Sequence, residues 1–174
     1  MTHISRRITP ETYRLASKVP VRIVLENIRS GLNVGAFFRT GDALRIDGID
    51  LCGYTARPPH REILKSALGA TEHVTWMAHD NALKAIESLR TQGYLIAAVE
   101  QTEASISLLD WNPDPSSKWA FIFGNEVRGI EEQTLGACDT AIQIPQFGVK
   151  QSLNVSVCGG IVLWESARRL GFPE

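Results

Sequence analysis

Residues 144–157 read IPQFGVKQSLNVSV, and this stretch decides the predicted fold. A short apolar strand stops at Pro145, passes through a loop around Gly148, and delivers Ser152–Asn154 into a long apolar helix. Small ligands in α/β proteins bind where the carboxyl end of a strand meets a helix N-terminus, because backbone amides are unpaired there. We therefore expect a ligand site in this loop. The GxGxxG and GxxxxGK[ST] spacings that hold a nucleotide pyrophosphate are absent from it.

The composition sets the class of protein before any motif is considered. With 174 residues, 44% of them hydrophobic, the chain fits one globular domain with a full core. The formal net charge of −1 gives no overall electrostatic indication of nucleic-acid binding. Function must therefore be predicted from local motifs.

Several classes of site are excluded by spacing. Cys52, Cys138 and Cys158 lie far apart with no CxxC pair, so they are expected to be reduced core residues. The histidines have no HExxH or similar spacing, and no metal site is predicted. A GxSxG nucleophile motif is absent. The N-terminal residues contain no continuous apolar segment of the kind found in signal peptides, and no segment approaches eighteen uninterrupted apolar residues, so a cytoplasmic protein without membrane attachment is expected.

Outward from the opening stretch, short apolar runs alternate with helical patterns. This alternation favours an α/β domain with a mostly parallel sheet and helices on both faces. The predicted strands are Val21–Leu25, Ile49–Gly53, His73–Trp76, Tyr94–Val99, Trp119–Phe123 and Ala141–Ile144. The predicted helices are Val34–Leu44, His60–Leu68, Asn81–Thr91, Ile130–Gly136 and Leu153–Leu170.

A helix start signal precedes the first strand. Thr9 is a candidate N-cap, Pro10 suits the first helical position, and Glu11 lies near the positive end of the helix dipole. We expect residues 1–20 to form an N-terminal helical extension and residues 21–174 to form the main domain. Basic residues are frequent in this extension; taken alone they favour a solvated helix face, with phosphate contacts as the alternative.

Two further loops resemble the opening one in their polar content. After the first strand comes ENIRSGLNVG at residues 26–35, and after the fifth comes GNEVRG at residues 124–129. Glycine and asparagine in one such loop are explained by turn geometry alone. Because the carboxyl ends of parallel strands share one edge of the sheet, three such loops together indicate a shared site.

The ordered spacing of these loops resembles a known family. NxxxxxNxGxxxR at residues 27–39, GNExxG at residues 124–129, and Ile-Pro followed by SLNVSV at residues 144–157 are similar to the three motifs of the SpoU/TrmH-type RNA 2'-O-ribose methyltransferases of the SPOUT superfamily. The resemblance spans roughly residues 21–170 in the family's order. It implies an α/β domain with a deep C-terminal trefoil knot, and a homodimer.

The resemblance also implies S-adenosylmethionine as the cofactor. The knot loops would hold it in a bent shape through backbone groups, with Ile144 and Leu153 against the adenine. A further wall would come from the end of the fourth strand. The residues expected to bind the cofactor are Val99, Glu100, Gln101, Gly124, Asn125, Ile144 and Leu153.

The implied reaction is displacement at the methyl carbon of a sulfonium by a ribose 2'-hydroxyl. Arg39 matches the family's catalytic arginine, which is proposed to activate this hydroxyl with help from the substrate phosphate. A guanidinium is effectively always protonated, so stabilising the developing alkoxide or anchoring the phosphate is the alternative role. Asn33 and Ser152 match site-forming polar residues. Asn154 and Glu126 are expected to hold the loops, and an arginine is a candidate partner for Glu126.

The expected substrate is RNA, with tRNA favoured and rRNA as the alternative. Two further alternatives are a noncatalytic RNA- or cofactor-binding module of the same fold and an ordinary nucleotide-binding α/β protein. Phosphate contacts, each with a solvated surface charge as the alternative, are expected from Arg6, Arg7, Arg14, Lys18, Arg57, Arg61, Arg128 and Lys150.

Overall fold

Parallel strands form a single sheet in the part of the chain that the structure, a computed structural model, describes: residues 8–150 and 152–172. The strands are β1 (Val19–Glu26), β2 (Ile46–Cys52), β3 (Trp76–His79), β4 (Tyr94–Val99), β5 (Ile106–Ser107), β6 (Lys118–Phe123) and β7 (Thr140–Gln143). The α-helices are α1 (Pro10–Leu15), α2 (Gly31–Leu44), α3 (Arg61–Ala67), α4 (Ala82–Thr91), α5 (Glu132–Gly136) and α6 (Val155–Leu170).

The strand order is β3-β2-β1-β6-β4-β7-β5, and every neighbouring pair is parallel. The prediction of an α/β domain with a parallel sheet is confirmed. Val21, Ile23, Val24 and Leu25 of β1 are fully buried, and Arg22 is only 6% exposed, as expected for a central parallel strand that is covered on both faces. The trefoil knot that the resemblance implies stays a prediction.

Alternate residues of the central strands belong to two apolar layers, one on each face of the sheet. Ile23 and Leu25 pack with residues of α2, α3 and α6, whereas Val24 packs with residues of α4. The α2 and α6 helices approach closely, because a Cβ on Gly159 would lie 2.1 Å from Phe37 Cε1. The sheet is therefore covered on both faces, and α2 and α6 lie on the same one.

Two helix starts are fixed by side chains from the predicted motifs. The Ser30 hydroxyl accepts a hydrogen bond from the Asn33 backbone N–H at the start of α2. The Asn154 side chain accepts from the backbone N–H groups of Ser156 and Val157 at the start of α6. These N-caps satisfy amides that lack intrahelical partners.

The structure differs from the sequence prediction at two strands. The predicted strand at residues 73–76 is wrong, because residues 70–72 form a 3-10 turn and the strand begins only at Trp76. Val74 is nevertheless buried, so the apolar pattern marked a core residue rather than a strand. The short β5 was not predicted, because two residues carry no detectable periodicity.

Candidate functional site

A cavity of about 460 Å³ lies at the carboxyl ends of β4, β6 and β7, beside the start of α6. Its volume falls in the range of small-molecule sites. Every residue predicted to hold the cofactor lines it, together with the predicted site residues Glu126, Ser152 and Asn154. The cavity-lining residues that the sequence did not single out include Phe123, Val127, Ile142, Gln143, Gln146, Val155 and Cys158.

The mixed lining of the cavity includes buried apolar side chains and a fixed carboxylate. Phe123 and Ile142 are buried beneath it. The Glu100 carboxylate accepts hydrogen bonds from the backbone N–H groups of Gln101 at 3.0 Å and Ile130 at 3.3 Å. Such a lining suits a ligand with a flat apolar part and a positive charge.

Gly124 and Gly129 allow the 124–129 loop to close on itself. Asn125 and Gly129 exchange backbone hydrogen bonds of 3.0 and 2.9 Å. A Cβ on Gly124 would lie 2.3 Å from the carbonyl carbon of Gly129, and Gly129 has a φ of +70°. Both positions therefore require glycine.

Asn125 fixes this loop to its neighbours, and it is only 7% exposed. Its side-chain Oδ1 accepts from the backbone N–H groups of Val127 and Arg128, both at 2.9 Å. Its Nδ2 donates to the Asn27 carbonyl and to the Tyr54 hydroxyl, both at 2.8 Å. Every hydrogen-bonding group of this amide is used to position the loop.

Glu126 joins the second motif to the first. Its carboxylate accepts from the backbone N–H groups of Arg29 at 2.9 Å and Ser30 at 3.1 Å, and from Asn33 Nδ2 at 3.0 Å. Partial burial raises the pKa of Glu126, but these hydrogen bonds outweigh it and hold the pKa below its ordinary value. Within the described residues Glu126 pairs with amides, and the arginine partner considered from the sequence is not seen.

Asn33 joins the third motif to the other two. Its Oδ1 accepts from Asn154 Nδ2 at 3.2 Å and from the Ser156 hydroxyl at 3.4 Å. Asn33 therefore connects Glu126 to Asn154 across a rim of the cavity. We call these three side chains the amide bridge.

Arg39 lies apart from the cavity of its own chain. The offset from position 33 to position 39 corresponds to about 9 Å along a helix axis and about 120° around it. Arg39 is exposed on α2 and borders a second groove, which α1 and Tyr13 also line. The structure thus brings Asn33, Glu126, Ser152 and Asn154 together at or near the cavity, without Arg39.

The predicted phosphate contacts lie in several places. Arg6 and Arg7 fall outside the described residues. Lys18 lies 3.3 Å from the Tyr13 ring centroid and donates to the Tyr13 carbonyl at 2.7 Å, so it has an intramolecular role. The others are exposed at separate positions on the surface: Arg14, Arg57, Arg61, Arg128 and Lys150.

The cysteines are free thiols, as predicted from their spacing. Burial raises the pKa of Cys158, at the cavity, to about 12 and that of Cys138 to about 11. Burial also raises the pKa of Cys52. A protonated thiol is a poor nucleophile, so the site does not suggest covalent cysteine chemistry. Among the described residues, no cluster of side chains is arranged to hold a metal ion.

Two supporting residues were missed by the sequence prediction. Glu26 is buried at the end of β1, where its carboxylate accepts from the Glu131 backbone N–H at 2.9 Å and the Thr134 hydroxyl at 2.5 Å. The sequence could have identified Glu26, because an acidic residue at the end of an apolar strand is unusual. Tyr54 has no such signal, because a single tyrosine after a strand is unremarkable in sequence.

Among the helices of the described ranges, none has the length and apolar character needed to cross a membrane.

Comparison with known proteins agrees with this geometry. The tRNA (guanosine(18)-2'-O)-methyltransferase of Borreliella burgdorferi is 33% identical over 147 residues, covering 84% of this chain and 66% of that protein. The structure of an AdoMet-bound rRNA methyltransferase from Sinorhizobium meliloti matches with a TM-score of 0.79 and 25% identity, covering 90% of this chain and 62% of that one. Another structure, concerned with the 2-OH methylation of C/U34 on tRNA, matches with a TM-score of 0.76 and 25% identity, covering 86% and 95%.

The chain thus spans about two-thirds of the length of the B. burgdorferi relative. The model of the SpoU rRNA Methylase family matches residues 20–164, which include the cavity and all three residues of the amide bridge. By this match the chain belongs to the SpoU rRNA methylase family.

Proposed function

We propose that the protein transfers the methyl group of S-adenosylmethionine to a ribose 2'-hydroxyl of RNA. The observation that carries this proposal is the amide bridge, in which Asn33, Glu126 and Asn154 join three separate loops at one cavity. Family membership supports the same reaction class, since the curated relative is named as a 2'-O-methyltransferase.

The cavity fits the proposed cofactor. Its apolar residues, with Ile144 and Leu153 at its edge, suit an adenine ring. The Glu100 carboxylate provides a negative charge for a cationic ligand. When bound, S-adenosylmethionine supplies an activated methyl group on a sulfonium. The S. meliloti relative, solved with AdoMet bound, supports this assignment.

The amide bridge and Ser152 would position the acceptor. Asn33 Oδ1 already receives two donors, and Glu126 receives three, so both are held in fixed orientations. Ser152 is exposed at the cavity, and its hydroxyl can both donate and accept a hydrogen bond. Fixed polar groups around a reactive methyl favour alignment of an incoming hydroxyl.

We further propose that the protein acts as a homodimer in the cytoplasm. The α6 helix exposes Val157, Ile161 and Trp164, which are 54%, 39% and 57% accessible and lie on one helical face. Burying this face against a second copy would remove a contiguous apolar patch from water. Such an arrangement would let Arg39 of one subunit serve the cavity of the other.

Arg39 then has an electrostatic role in the proposed mechanism. Because its guanidinium stays protonated, it would stabilise the developing alkoxide or bind the adjacent phosphate rather than remove the proton. The acceptor loses its proton to solvent or to the phosphate group as the methyl is transferred.

The favoured substrate class is tRNA. The B. burgdorferi relative and the structure concerned with C/U34 both name tRNA, and the latter match covers nearly all of that chain. Residues 1–20, which include α1 and exposed Arg14, would form an extension that contacts RNA. The S. meliloti relative makes rRNA the second candidate.

Calorimetry and RNA methylation test the proposal together. We expect one S-adenosylmethionine to bind per chain, with no binding of NAD, and labelled methyl groups to enter the tRNA fraction of total RNA. Binding of NAD instead would support an ordinary nucleotide-binding protein. Cofactor binding without incorporation into tRNA or rRNA would support a noncatalytic module.

A further inference from the structure

Tyr54 presents an aromatic ring to solvent while both its backbone and its hydroxyl are held. The side chain is 62% exposed in the loop that follows β2. Its hydroxyl accepts from Asn125 Nδ2 at 2.8 Å, and its backbone N–H donates to Asn27 Oδ1 at 3.2 Å. An exposed tyrosine is usually free to change rotamer, whereas this ring is anchored at both ends.

The sequence around Tyr54 is adapted to this arrangement. A Cβ on Gly53 would lie 2.0 Å from Asn27 Oδ1, and Gly53 has a φ of +64°, so only glycine lets the loop approach Asn27. The partner of the hydroxyl, Asn125, lines the cavity and precedes Glu126 of the amide bridge. The ring of Tyr54 is therefore one hydrogen bond away from the proposed reaction site.

The loops that meet at Tyr54 carry three exposed arginines. Arg57 follows in the same loop, Arg29 follows Asn27, and Arg128 follows Asn125; all three are exposed. None of them makes an ion pair within residues 8–150 and 152–172. Two carboxylates in these loops are already engaged, since Glu131 accepts from Asn27 Nδ2 at 2.8 Å and Glu126 accepts from three amides.

We propose that the Tyr54 ring is a stacking platform for an unpaired nucleobase of the RNA substrate, close to the nucleotide that receives the methyl group. An exposed aromatic ring among arginines is the combination that binds single-stranded RNA, because bases stack on the ring and phosphates pair with the cations. Anchoring of the ring lowers the entropy lost on stacking. This inference rests on the proposed function and assigns its base-binding surface.

The test compares Tyr54→Leu, which removes the ring, with Tyr54→Phe, which keeps the ring and removes the hydroxyl. Each purified protein is measured for RNA affinity by filter binding, for kcat and KM with RNA, and for S-adenosylmethionine affinity by calorimetry. Stacking predicts that Tyr54→Leu weakens RNA binding and raises KM by about 5- to 150-fold. Tyr54→Phe should stay within about threefold of the wild type, since the π-face is retained. Any change in cofactor affinity should be the same in both, because both variants remove the hydroxyl that accepts from Asn125.

Three results would overturn the inference. Equal damage from both variants would assign the effect to the hydroxyl and its support of Asn125. Unchanged RNA affinity in Tyr54→Leu would show that the ring does not bind RNA. Loss of cofactor binding in Tyr54→Leu but not in Tyr54→Phe would show a structural role of the ring. RNA binding without methylation by the wild type would reject the proposed reaction, while the affinity comparison would still decide the role of Tyr54.

Discussion

The Asn33 side-chain amide donates a 3.0 Å hydrogen bond to the Glu126 carboxylate, and Asn33 Oδ1 accepts from Asn154 at 3.2 Å. Residues from three loops, far apart in the chain, are thereby held in one arrangement. The α2 N-terminus depends on the same carboxylate, because Glu126 also accepts from the Arg29 and Ser30 amides. Catalytic geometry and the start of α2 should therefore respond together to changes at Glu126.

Replacing Glu126 by Ala should lower kcat for methyl transfer by about 100-fold, because small displacements of positioning residues have effects of this size. The protein should remain folded but with a lower Tm, because the backbone N–H groups of Arg29 and Ser30 lose their acceptor at the start of α2. Steady-state kinetics and thermal unfolding measure the two effects. Glu132→Ala, an exposed acid in the first turn of α5, is the control. Unchanged kcat in Glu126→Ala would remove the amide bridge from catalysis.

Replacing Arg39 by Ala should lower kcat by about 100- to 1000-fold, because one electrostatic stabiliser of the transition state is lost. Cofactor affinity should be nearly unchanged, because Arg39 does not line the cavity of its own chain. Arg39→Lys keeps the charge without the planar fork and tests whether bidentate contact matters. Equal loss of cofactor binding and activity in a folded protein would assign Arg39 to the scaffold.

Mixing two inactive variants tests whether Arg39 serves the other subunit. Arg39→Ala and Asn154→Ala lie in different parts of the proposed composite site. Dimers reassembled from equal amounts should recover about a quarter of wild-type activity, because half are mixed and each mixed dimer has one intact site. Dimers in which every chain carries both Arg39→Ala and Asn154→Ala should be inactive. No recovery in proven mixed dimers would place Arg39 and Asn154 in the same functional unit.

Changing Ile161 to Lys should convert the protein to monomers by placing a charge within the exposed apolar face of α6. Sedimentation velocity measures the change. Leu64→Lys is the matched control, because Leu64 is 44% exposed on α3, outside that face. A wild-type protein that is already monomeric, or an Ile161→Lys variant that remains dimeric, would contradict the proposed interface.

Gly124→Ala should destabilise the protein by about 1–3 kcal/mol through overpacking, because its Cβ would lie 2.3 Å from Gly129 and Ile130. It should also weaken cofactor binding, since Gly124 lines the cavity. Gly148→Ala is the control, because among the described residues a Cβ there meets no atom within 4 Å. Denaturant unfolding and calorimetry measure both effects. Similar behaviour of the two variants would contradict the close loop packing.

Glu165 provides a prediction about pH. Its hydrogen bond with Arg168 lowers the pKa of Glu165 from the ordinary value of 4.5 to about 2, with Arg169 contributing in the same direction against partial burial. A carboxylate whose pKa is depressed in the folded state stabilises it above the unfolded pKa, and this stabilisation is lost as pH falls toward the folded pKa. The Tm difference between wild type and Glu165→Gln should be largest above pH 5 and should vanish near pH 2. A difference independent of pH would contradict this coupling.

The sequence predicted the parallel sheet because central strands that are covered on both faces are nearly continuous apolar runs, as at residues 21–25. The glycine and polar residues that follow such strands indicated a shared site at one edge of the sheet, whereas the individual residues expected to bind the cofactor came from the family resemblance. The pattern placed β3 too early, because Val74 is buried in a turn and an apolar residue in a buried turn looks the same in sequence as one in a strand.

The connections within the site were harder to predict. Asn33 and Glu126 were singled out, but their mutual hydrogen bond depends on which loops become neighbours, and that follows from strand order rather than from motif spacing. Tyr54 was missed for the same reason, because its importance lies in a contact with Asn125 that no local pattern encodes. The separation of Arg39 from the cavity could have been predicted, because a six-residue offset from Asn33 on one helix places Arg39 on a different side of α2.

The most direct test of the proposed reaction is alkaline hydrolysis of RNA that the protein has methylated with labelled S-adenosylmethionine. Hydrolysis of a phosphodiester requires the neighbouring 2'-hydroxyl, so a methyl group on that oxygen leaves the adjacent linkage intact. We expect the label to appear in alkali-resistant dinucleotides, and Asn33→Ala should reduce the amount of this product. Label recovered only in mononucleotides would mean that a base is methylated, and would contradict transfer to the ribose.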